Sequence, residues 1–503
     1  MYDAGGFFSL YLVGLANVFQ VKVLLMLLLG TTVGIIFGVI PGLSATIGVA
    51  IFTPLTFSMD TTTAFAMLLG IYCGSVYGGS ISAILVNIPG TAASVMTRLD
   101  GYPMAQKGEA GRAIGLATTS SFVGGIISVF VLAFFAPMLA EFALELSAQE
   151  YFSICVFGIS VIAYISTGSM LKGFISGILG LLLATIGLDP INAYVRLTFN
   201  KTELIGGLEV IPLMVGVFGI SEVLKMIESR DAKPAPLNES FTRAVSRFKE
   251  LGKMIGTLIR GSLIGVFIGA VPATGGTIAA IISYGVEKRI SKNPEKFGKG
   301  EPRGIVGPES ANNAATGGAM IPMLTLGIPG DVVTAILIGA LMIHGLCPGP
   351  LLFKQNPEVV SSIFIIMFLA NCLFLVLGLF GAKYFAKVTK WPRTILVSLI
   401  LCLAIVGTYS VRNSIFDVWV LVIAGLGGYL LNKVGIPTAP LVLGFILGGI
   451  VEQYLRQGLI LSYGNALLFV TRPISAVFLS LTLIMILSPY FKPLLKMRKT
   501  LDK

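Results

Sequence analysis

The sequence predicts an all-α polytopic membrane protein. It reads as two inverted-topology repeats with broken or re-entrant helices and about 10–12 membrane segments. Three observations lead there. The chain has 503 residues, of which 55% are hydrophobic and only 12% charged, against about 25% charged in a soluble chain; apolar runs of roughly 18 residues or more recur along it. Two segments rich in Gly, Ser, Thr and Asn, Gly74 to Ser94 and Asn312 to Thr334, share the order apolar helix, small-residue break, apolar run, Ile-Pro-Gly. The basic residues alternate between the halves in a way that sets opposite orientations.

In chain order, residues 1–21 form a mildly apolar segment with Asp3 as its one charge, suited to the membrane surface or a short first helix. Its first twenty residues hold no Lys or Arg, so the basic region of a signal peptide is not expected. Lys22 to Phe57 is apolar but interrupted at Pro41-Gly42. As one helix it would run about 54 Å, too long for one crossing of about 30 Å and short for two, so a re-entrant hairpin or a long kinked helix is expected. Thr62 to Thr97 carries the first motif. Residues 98–112 (RLDGYPMAQKGEAGR) read as a polar loop, with Arg98 and Asp100 just outside the membrane. Spans are expected near 113–137, 149–167, 171–188 and 207–227. Residues 229–253, with six basic residues and two prolines, read as a cytoplasmic linker. Met254 to Val286 is again apolar and broken, at Pro272, and a basic loop follows at 287–303. Glu309 to Leu346 carries the second motif, with Glu309 placed at the interface. Further spans fall near 359–382, 394–410, 415–432, 437–452 and 474–490, before a basic tail. The expected organisation is an interfacial segment (1–21), a first repeat (22–228), the linker (229–253), a second repeat (254–455), and an extra helix with a basic cytoplasmic tail (456–503).

The duplication rests on three ordered matches. Gly34, Gly38 and Pro41 align with Gly265, Gly269 and Pro272 at an offset of 231 (265 − 34, 269 − 38, 272 − 41). Gly78, Pro89 and Gly90 align with Gly318, Pro329 and Gly330 at 240 (318 − 78, 329 − 89, 330 − 90). Pro212 to Gly216 resembles Pro440 to Gly444 at 228 (440 − 212). Basic residues are absent from 1–21 and 58–61, whereas their counterparts, the linker and 287–303, are rich in them. The 138–148 loop is acidic and its counterpart carries Lys383, Lys387, Lys390 and Arg393. The 98–112 loop holds three basic residues and its counterpart only Lys354. A parallel repeat would leave this alternation accidental; by the positive-inside rule the copies are inverted.

A broken helix inside the membrane frees N–H and C=O groups that only protein, water or ligand can satisfy. Helix N-termini attract anions, while freed carbonyls and hydroxyls suit hard cations such as Na⁺. The candidate cation ligands are therefore Gly78, Gly79, Ser80, Gly317 and Gly318, where breaks are expected. Ser82, Asn87, Pro89, Gly90, Thr91, Ser94, Asn312, Asn313, Thr316, Pro329, Gly330, Asp331 and Thr334 are the candidates for a carboxylate substrate, as neutral donors or as residues that aim a helix start at it. Gly38, Pro41, Gly42, Pro272, Thr274 and Gly275 mark the other helix breaks. Each has a plainer reading, since small residues also let helices pack closely. Asp331 suits either an intramembrane functional carboxylate or a helix cap.

Composition also excludes. The net charge of +11 sits in a few loops, as positive-inside topology requires, with no basic patch interleaved with aromatics for nucleic acid. Five cysteines (Cys73, Cys155, Cys347, Cys372, Cys402) without a CxxC pair suggest neither a metal site nor a disulfide framework. The single histidine, His344, has no partner in sight and reads as structural rather than as a proton relay. No HExxH, GxSxG or Walker-type motif supports an enzyme or an ATPase.

The strings PGLSATIG, YGGSISAILVNIPGTAASVMTRLDGYPMAQKGEAGRAIG and PESANNAATGGAMIPMLTLGIPGD closely resemble the large membrane subunit of tripartite tricarboxylate transporters, and the likeness extends over roughly residues 20–455. Two departures are visible: Pro272-Ala273 stands against Pro41-Gly42, and Gly318-Ala319 against Gly78-Gly79. The resemblance implies a multi-pass protein of the bacterial inner membrane that works with a small membrane subunit of about four helices and a periplasmic solute-binding protein. It implies import of carboxylates, citrate giving the name, driven by an ion gradient and without a cofactor. The coupling ion is expected to be Na⁺ rather than H⁺, because the motifs are rich in neutral oxygens. Alternatives are an ion-conducting channel, a proton-coupled organic-anion transporter without a binding protein, and a non-transporting scaffold.

Overall fold

The computed structural model describes residues 12–165, 169–228, 248–272 and 274–501. Most of the expected N-terminal segment (1–11) and most of the expected linker (229–247) lie outside the described residues, as does Ala273. The principal helices are α1 (Val21–Val39), α2 (Ala45–Phe52), α3 (Thr61–Val86), α4 (Val95–Met104), α5 (Ala110–Ala143), α6 (Ala148–Ile165) and α7 (Met170–Ala184). After α8 (Val210–Glu228) come α9 (Ile255–Ala270), α10 (Gly275–Ile290), α11 (Arg303–Leu326), α12 (Val332–Ile343), α13 (Pro357–Val388), α14 (Arg393–Arg412), α15 (Ile415–Lys433), α16 (Ala439–Leu461) and α17 (Pro473–Leu501). Among the described residues eight helices are long and apolar enough to cross a membrane, and six shorter apolar helices of 10–17 residues accompany them. This is an all-α polytopic membrane protein. The one strand pairing among the described residues is a two-residue antiparallel ribbon, Gly187–Leu188 with Val195–Arg196.

Two compact units form, and they do not follow the two sequence halves. One comprises Met1–Glu141 with Met214–Tyr429, the other Phe142–Leu213 with Leu430–Lys503. The first unit holds every expected helix break. Its centre is α3 and α11, the helices richest in Gly, Ser, Thr and Asn. Every residue from Gly304 to Thr325 is buried, as is almost all of α3. The polar helices are inside because their backbone and side-chain polar groups need protein partners that lipid does not supply. The apolar helices α1, α5 and α13 carry the exposed large hydrophobics, among them Leu25, Phe130, Phe134 and Phe380.

Small residues set how closely the central helices approach. A Cβ on Gly34 would lie 2.5 Å from the Ile71 carbonyl oxygen, and one on Gly38 2.3 Å from that of Ser75. In the second half a Cβ on Gly265 would lie 2.3 Å from the Ala311 carbonyl oxygen and one on Gly269 2.4 Å from that of Ala315. Helix α1 thus packs on α3 through the positions that, counted along the sequence offsets, pack α9 on α11. This is the small-xxx-small contact of membrane helices, where dispersion over a close backbone approach replaces the hydrophobic effect.

The region 22–57, expected as a re-entrant hairpin or a long kinked helix, is two helices joined by a turn. Helix α1 ends at Val39, a turn spans residues 40–44 with Gly42 at φ +95°, and α2 restarts at Ala45 with Ser44 as its N-cap, accepting from the Ile47 N–H. The 98–112 stretch is not a surface loop. It is helical, α4 followed by a π-type turn leading into α5, and Asp100 within it is fully buried. Its Oδ1 accepts from the backbone N–H groups of Gly298, Gly300 and Glu301 at 2.8–2.9 Å, and its Oδ2 accepts from the Tyr284 hydroxyl at 3.0 Å. A carboxylate with that many donors needs no cation, which is why an acidic residue in a polar-looking string ends in the interior.

The second unit is stapled by aromatic contacts and ions. Tyr151 stacks on Tyr454 with ring centroids 4.7 Å apart. Gly180 and Gly444 let α7 and α16 approach, a Cβ on Gly180 lying 2.0 Å from the Leu441 carbonyl oxygen. Arg196 grips Glu452 through two nitrogens (2.7 and 3.1 Å), and Arg456 pairs with both Asp189 and Glu452 at 2.8 and 2.9 Å. The N–H groups of Asn192 and Ile191, and then the two arginines, hold the Asp189 carboxyl below the ordinary carboxylate range.

Candidate functional site

The two Ile-Pro-Gly segments are breaks of the same construction. Helix α3 ends on Asn87 in the left-handed region (φ 59°), and α11 on Gly327 (φ 70°). A left-handed residue is the usual stop for a helix and favours Asn or Gly. Three non-helical residues follow, and then an N-cap with a reciprocal capping box. In the first break Thr91 and Ser94 form it, Ser94 Oγ accepting from the Thr91 N–H at 3.3 Å. In the second Asp331 and Thr334 form it, Asp331 Oδ1 accepting from the Thr334 N–H at 2.7 Å and Thr334 Oγ1 from the Asp331 N–H at 2.8 Å. Cap, restart and box partner are each 240 residues apart (327 − 87, 331 − 91, 334 − 94). The boxes satisfy donors that a helix start would otherwise leave bare.

Each break folds back onto its own helix. The Gly90 N–H points at the Gly79 carbonyl at 3.4 Å. A Cβ on Gly79 would lie 2.4 Å from Thr91 Oγ1, and one on Gly90 only 1.9 Å from the Gly38 carbonyl oxygen. In the second half a Cβ on Gly330 would lie 2.5 Å from Ala319 Cα. Pro89 is half-buried, whereas Pro329 is buried.

This geometry corrects one expectation. Gly78-Gly79-Ser80 and Gly317-Gly318 are not helix breaks; they lie inside the continuous α3 and α11. Their small size serves close contact instead: Gly78 meets the Ile35 carbonyl oxygen, Gly317 meets Ser128, and Gly318 meets the Val266 carbonyl oxygen. Ser80 Oγ donates to the Tyr77 carbonyl at 2.6 Å and Ser82 Oγ to that of Gly79 at 3.2 Å. Gly318 alone of these five loses its regular partner, because Pro322 four residues on offers no N–H.

Around the second break several elements converge. The Tyr72 hydroxyl of α3 donates to Asp331 Oδ2 at 2.6 Å. The Asn312 amide of α11 donates to the Val76 carbonyl at 3.3 Å. The start of α10 fits between them: a Cβ on Gly275 would lie 3.5 Å from Asp331 Cβ, and one on Gly276 2.3 Å from Asn312 Oδ1. Preceding α10, Thr274 Oγ1 closes the end of α9 by donating to the Val271 carbonyl at 2.9 Å beside Pro272, as Pro41 and Gly42 close α1. Asn312, Asp331, Thr334, Thr274 and Gly275 are therefore neighbours. Asn313 and Thr316 turn their hydrogen bonds along α11 itself, Asn313 to the Glu309 carbonyl and Thr316 to that of Asn313. Asn87 is exposed at the mouth of the first break. Ser75 Oγ, one turn beyond Tyr72, is buried with no protein partner.

Sequence reasoning missed Tyr72, and it did not foresee that Glu309 is buried within α11. Nothing in an apolar run marks a tyrosine as the partner of a residue 259 positions away. Glu309 offered a signal, a carboxylate inside a stretch otherwise free of charge.

Residues 24–443 match the tripartite tricarboxylate transporter TctA family. An uncharacterized 52.8 kDa protein in the TAR-I ttuC' 3' region of Agrobacterium vitis is 39% identical over 454 residues, 90% of each chain. An uncharacterized protein in the TAR-II ttuC' 3' region of the same organism is 42% identical over 227 residues, 45% of this chain and 92% of that one. No solved structure matches the chain. With eight long apolar helices among its described residues and a match across most of its length, the chain belongs to the TctA family of tripartite tricarboxylate transporters.

Proposed function

We propose that this protein is the permease of a binding-protein-dependent secondary transporter that imports tricarboxylates or related carboxylates across the bacterial inner membrane. Membership of the TctA family implies association with a small membrane subunit and a periplasmic binding protein, and the tricarboxylate of the family's description supports a carboxylate as the substrate class. The observation that carries the reading is the pair of equivalently capped breaks. Helix starts inside a membrane offer amides to an anion, while hydroxyls and freed carbonyls, such as that of Gly318, offer oxygens to a cation. Thr91, Ser94, Asn87 and Asn312 are the neutral donors for the substrate. The matched glycine contacts and the 240-residue equivalence of the caps support two duplicated units, and the charge alternation of the loops supports their inversion. Access then alternates around the breaks, driven by a gradient of Na⁺ or H⁺.

Reconstitution of the full chain with its small membrane subunit and binding protein tests this. Radiolabelled citrate is expected to accumulate in proteoliposomes under an imposed cation gradient and only with binding protein present. Asn87→Gly, which keeps the left-handed stop, is expected to cut that uptake with the thermal unfolding midpoint nearly kept, and Asn312→Ala to cut it with a lowered midpoint. Uptake indifferent to the gradient, to the binding protein and to both substitutions would sink the proposal.

A further inference from the structure

Helix α11 carries a carboxylate that neither break uses. Glu309 is 1% exposed, and among the described residues it has no cationic partner. Two hydroxyls serve it instead, one on each oxygen: Thr97 of α4 on Oε1, and Ser121 of α5 on Oε2 at 2.7 Å. An isolated ionised carboxylate in such a setting is expensive. A hydroxyl, unlike a lysine or an amide N–H, both donates and accepts. Thr97 and Ser121 therefore satisfy the carboxylate by donating, and satisfy the carboxylic acid when one of them turns to accept.

The charged and titratable groups of the surrounding helices are committed elsewhere. On α3, Tyr77 shares its hydroxyl with Thr118 at 2.8 Å. On α4, Asp100 is taken up by the 298–301 backbone and Tyr284, and Arg98 makes no ion pair with Glu309. On α9 and α10, Arg260 and Glu287 pair with each other at 2.9 Å, with Thr257 also on Glu287. On α5 the groups facing α11 are the hydroxyls of Ser121 and Ser128; Arg112, at its start, is engaged by Glu250 and Glu109. On α13 the Asn371 amide, which lies against Gly125 of α5, donates to the Met367 carbonyl. Glu309 sits one turn from Asn312 and Asn313 on the same helix, about 5 Å along its axis, so its charge state bears directly on the helix that holds the second break.

We propose that Glu309 carries the coupling proton, so that the driving ion is H⁺, taken up by this side chain from water on one face and released to water on the other. In uptake one Oε–H bond forms as a hydroxyl partner switches from donor to acceptor; in release that bond breaks and the hydroxyl switches back. The proposal rests on the importer reading above, and it replaces the sodium expected from the neutral oxygens of the two motifs. Two hydroxyls, one on each oxygen, are the partners of Glu309 among the described residues, and they serve both of its protonation states, which is what carrying a proton requires.

The test uses the full chain reconstituted with its partner subunits, with radiolabelled citrate as probe, and compares wild type with Glu309→Gln. Wild type is expected to accumulate citrate under an inward proton gradient and to lose accumulation with a protonophore. Glu309→Gln is expected to lose accumulation while keeping citrate counterflow, which moves no net proton. Infrared difference spectra of the same proteins are expected to show a titrating carboxyl C=O band in wild type that is missing in Glu309→Gln and displaced in Ser121→Ala. Accumulation by Glu309→Gln under a proton gradient, or a carboxyl band unchanged by the substitution, overturns the proposal. Absence of citrate and other carboxylate counterflow in wild type sinks the importer reading instead, and the infrared titration still judges Glu309.

Discussion

The first and second breaks solve one structural problem with the same parts, yet they present opposite faces. Both stop a helix on a left-handed residue, cross with Ile-Pro-Gly, and restart on a boxed N-cap. At the first, Asn87 and Ile88 are exposed and the cap is the neutral Thr91; at the second, Gly327 to Gly330 are buried and the cap is Asp331, tied to Tyr72. A neutral cap leaves the positive end of the following helix available to an outside anion, whereas a carboxylate cap consumes it. On the proposed function, the anion then belongs on the side of Thr91, while the Asp331 break, tied to Tyr72, serves as a joint between α3 and α12. Asp331 would itself repel a carboxylate substrate, so its place among the substrate ligands is the weakest on electrostatic grounds.

That comparison can be broken or sharpened at three points. The largest effect is expected from Gly90→Ala and Gly330→Ala, whose new methyl groups would strike the Gly38 carbonyl and Ala319 respectively. Each is expected to cost about 3 kcal/mol or more and to lower the unfolding midpoint in detergent; if only one does, the breaks are not packed alike. Next, Asp331→Ala removes a cap and strands the buried Tyr72 hydroxyl, an expected loss of about 2–4 kcal/mol, against about 1 kcal/mol for Thr91→Ala, which removes a cap alone. Equal losses in chemical denaturation would deny the second break its role as a joint. The smallest structural effect is expected from Thr91→Asp, because Asp caps a helix as well as Thr does. Here the midpoint should hold while citrate uptake collapses; retained uptake would remove the anion from the first break.

Much of this was legible in the sequence, for reasons that can be named. Ile-Pro-Gly after an apolar run predicts a stop and restart, because proline offers no N–H and glycine admits close backbone approach, and the chain turns at 87–91 and 327–331 accordingly. Pro41 and Pro272 mark the other interruptions on the same grounds. The glycine pairs were less readable, since glycine serves both a broken helix and a tight helix crossing; only the partner decides, and Ile35 and Val266 lie far off in sequence. Asp100 looked like a loop residue because its donors, the N–H groups of Gly298, Gly300 and Glu301 and the Tyr284 hydroxyl, leave no trace in composition. Tyr72 was invisible for the same reason.

The burial of α11 has a consequence for how the chain is made. A helix carrying Glu309, Asn312, Asn313 and Thr316 is not among those apolar enough to cross on their own, and insertion machinery weighs each emerging segment by its own partition energy. Helix α11 is therefore expected to enter the bilayer against α9, which emerges before it and offers the glycine-lined surface on which it packs. The order of the segments along the gene is, on this view, part of the assembly instruction.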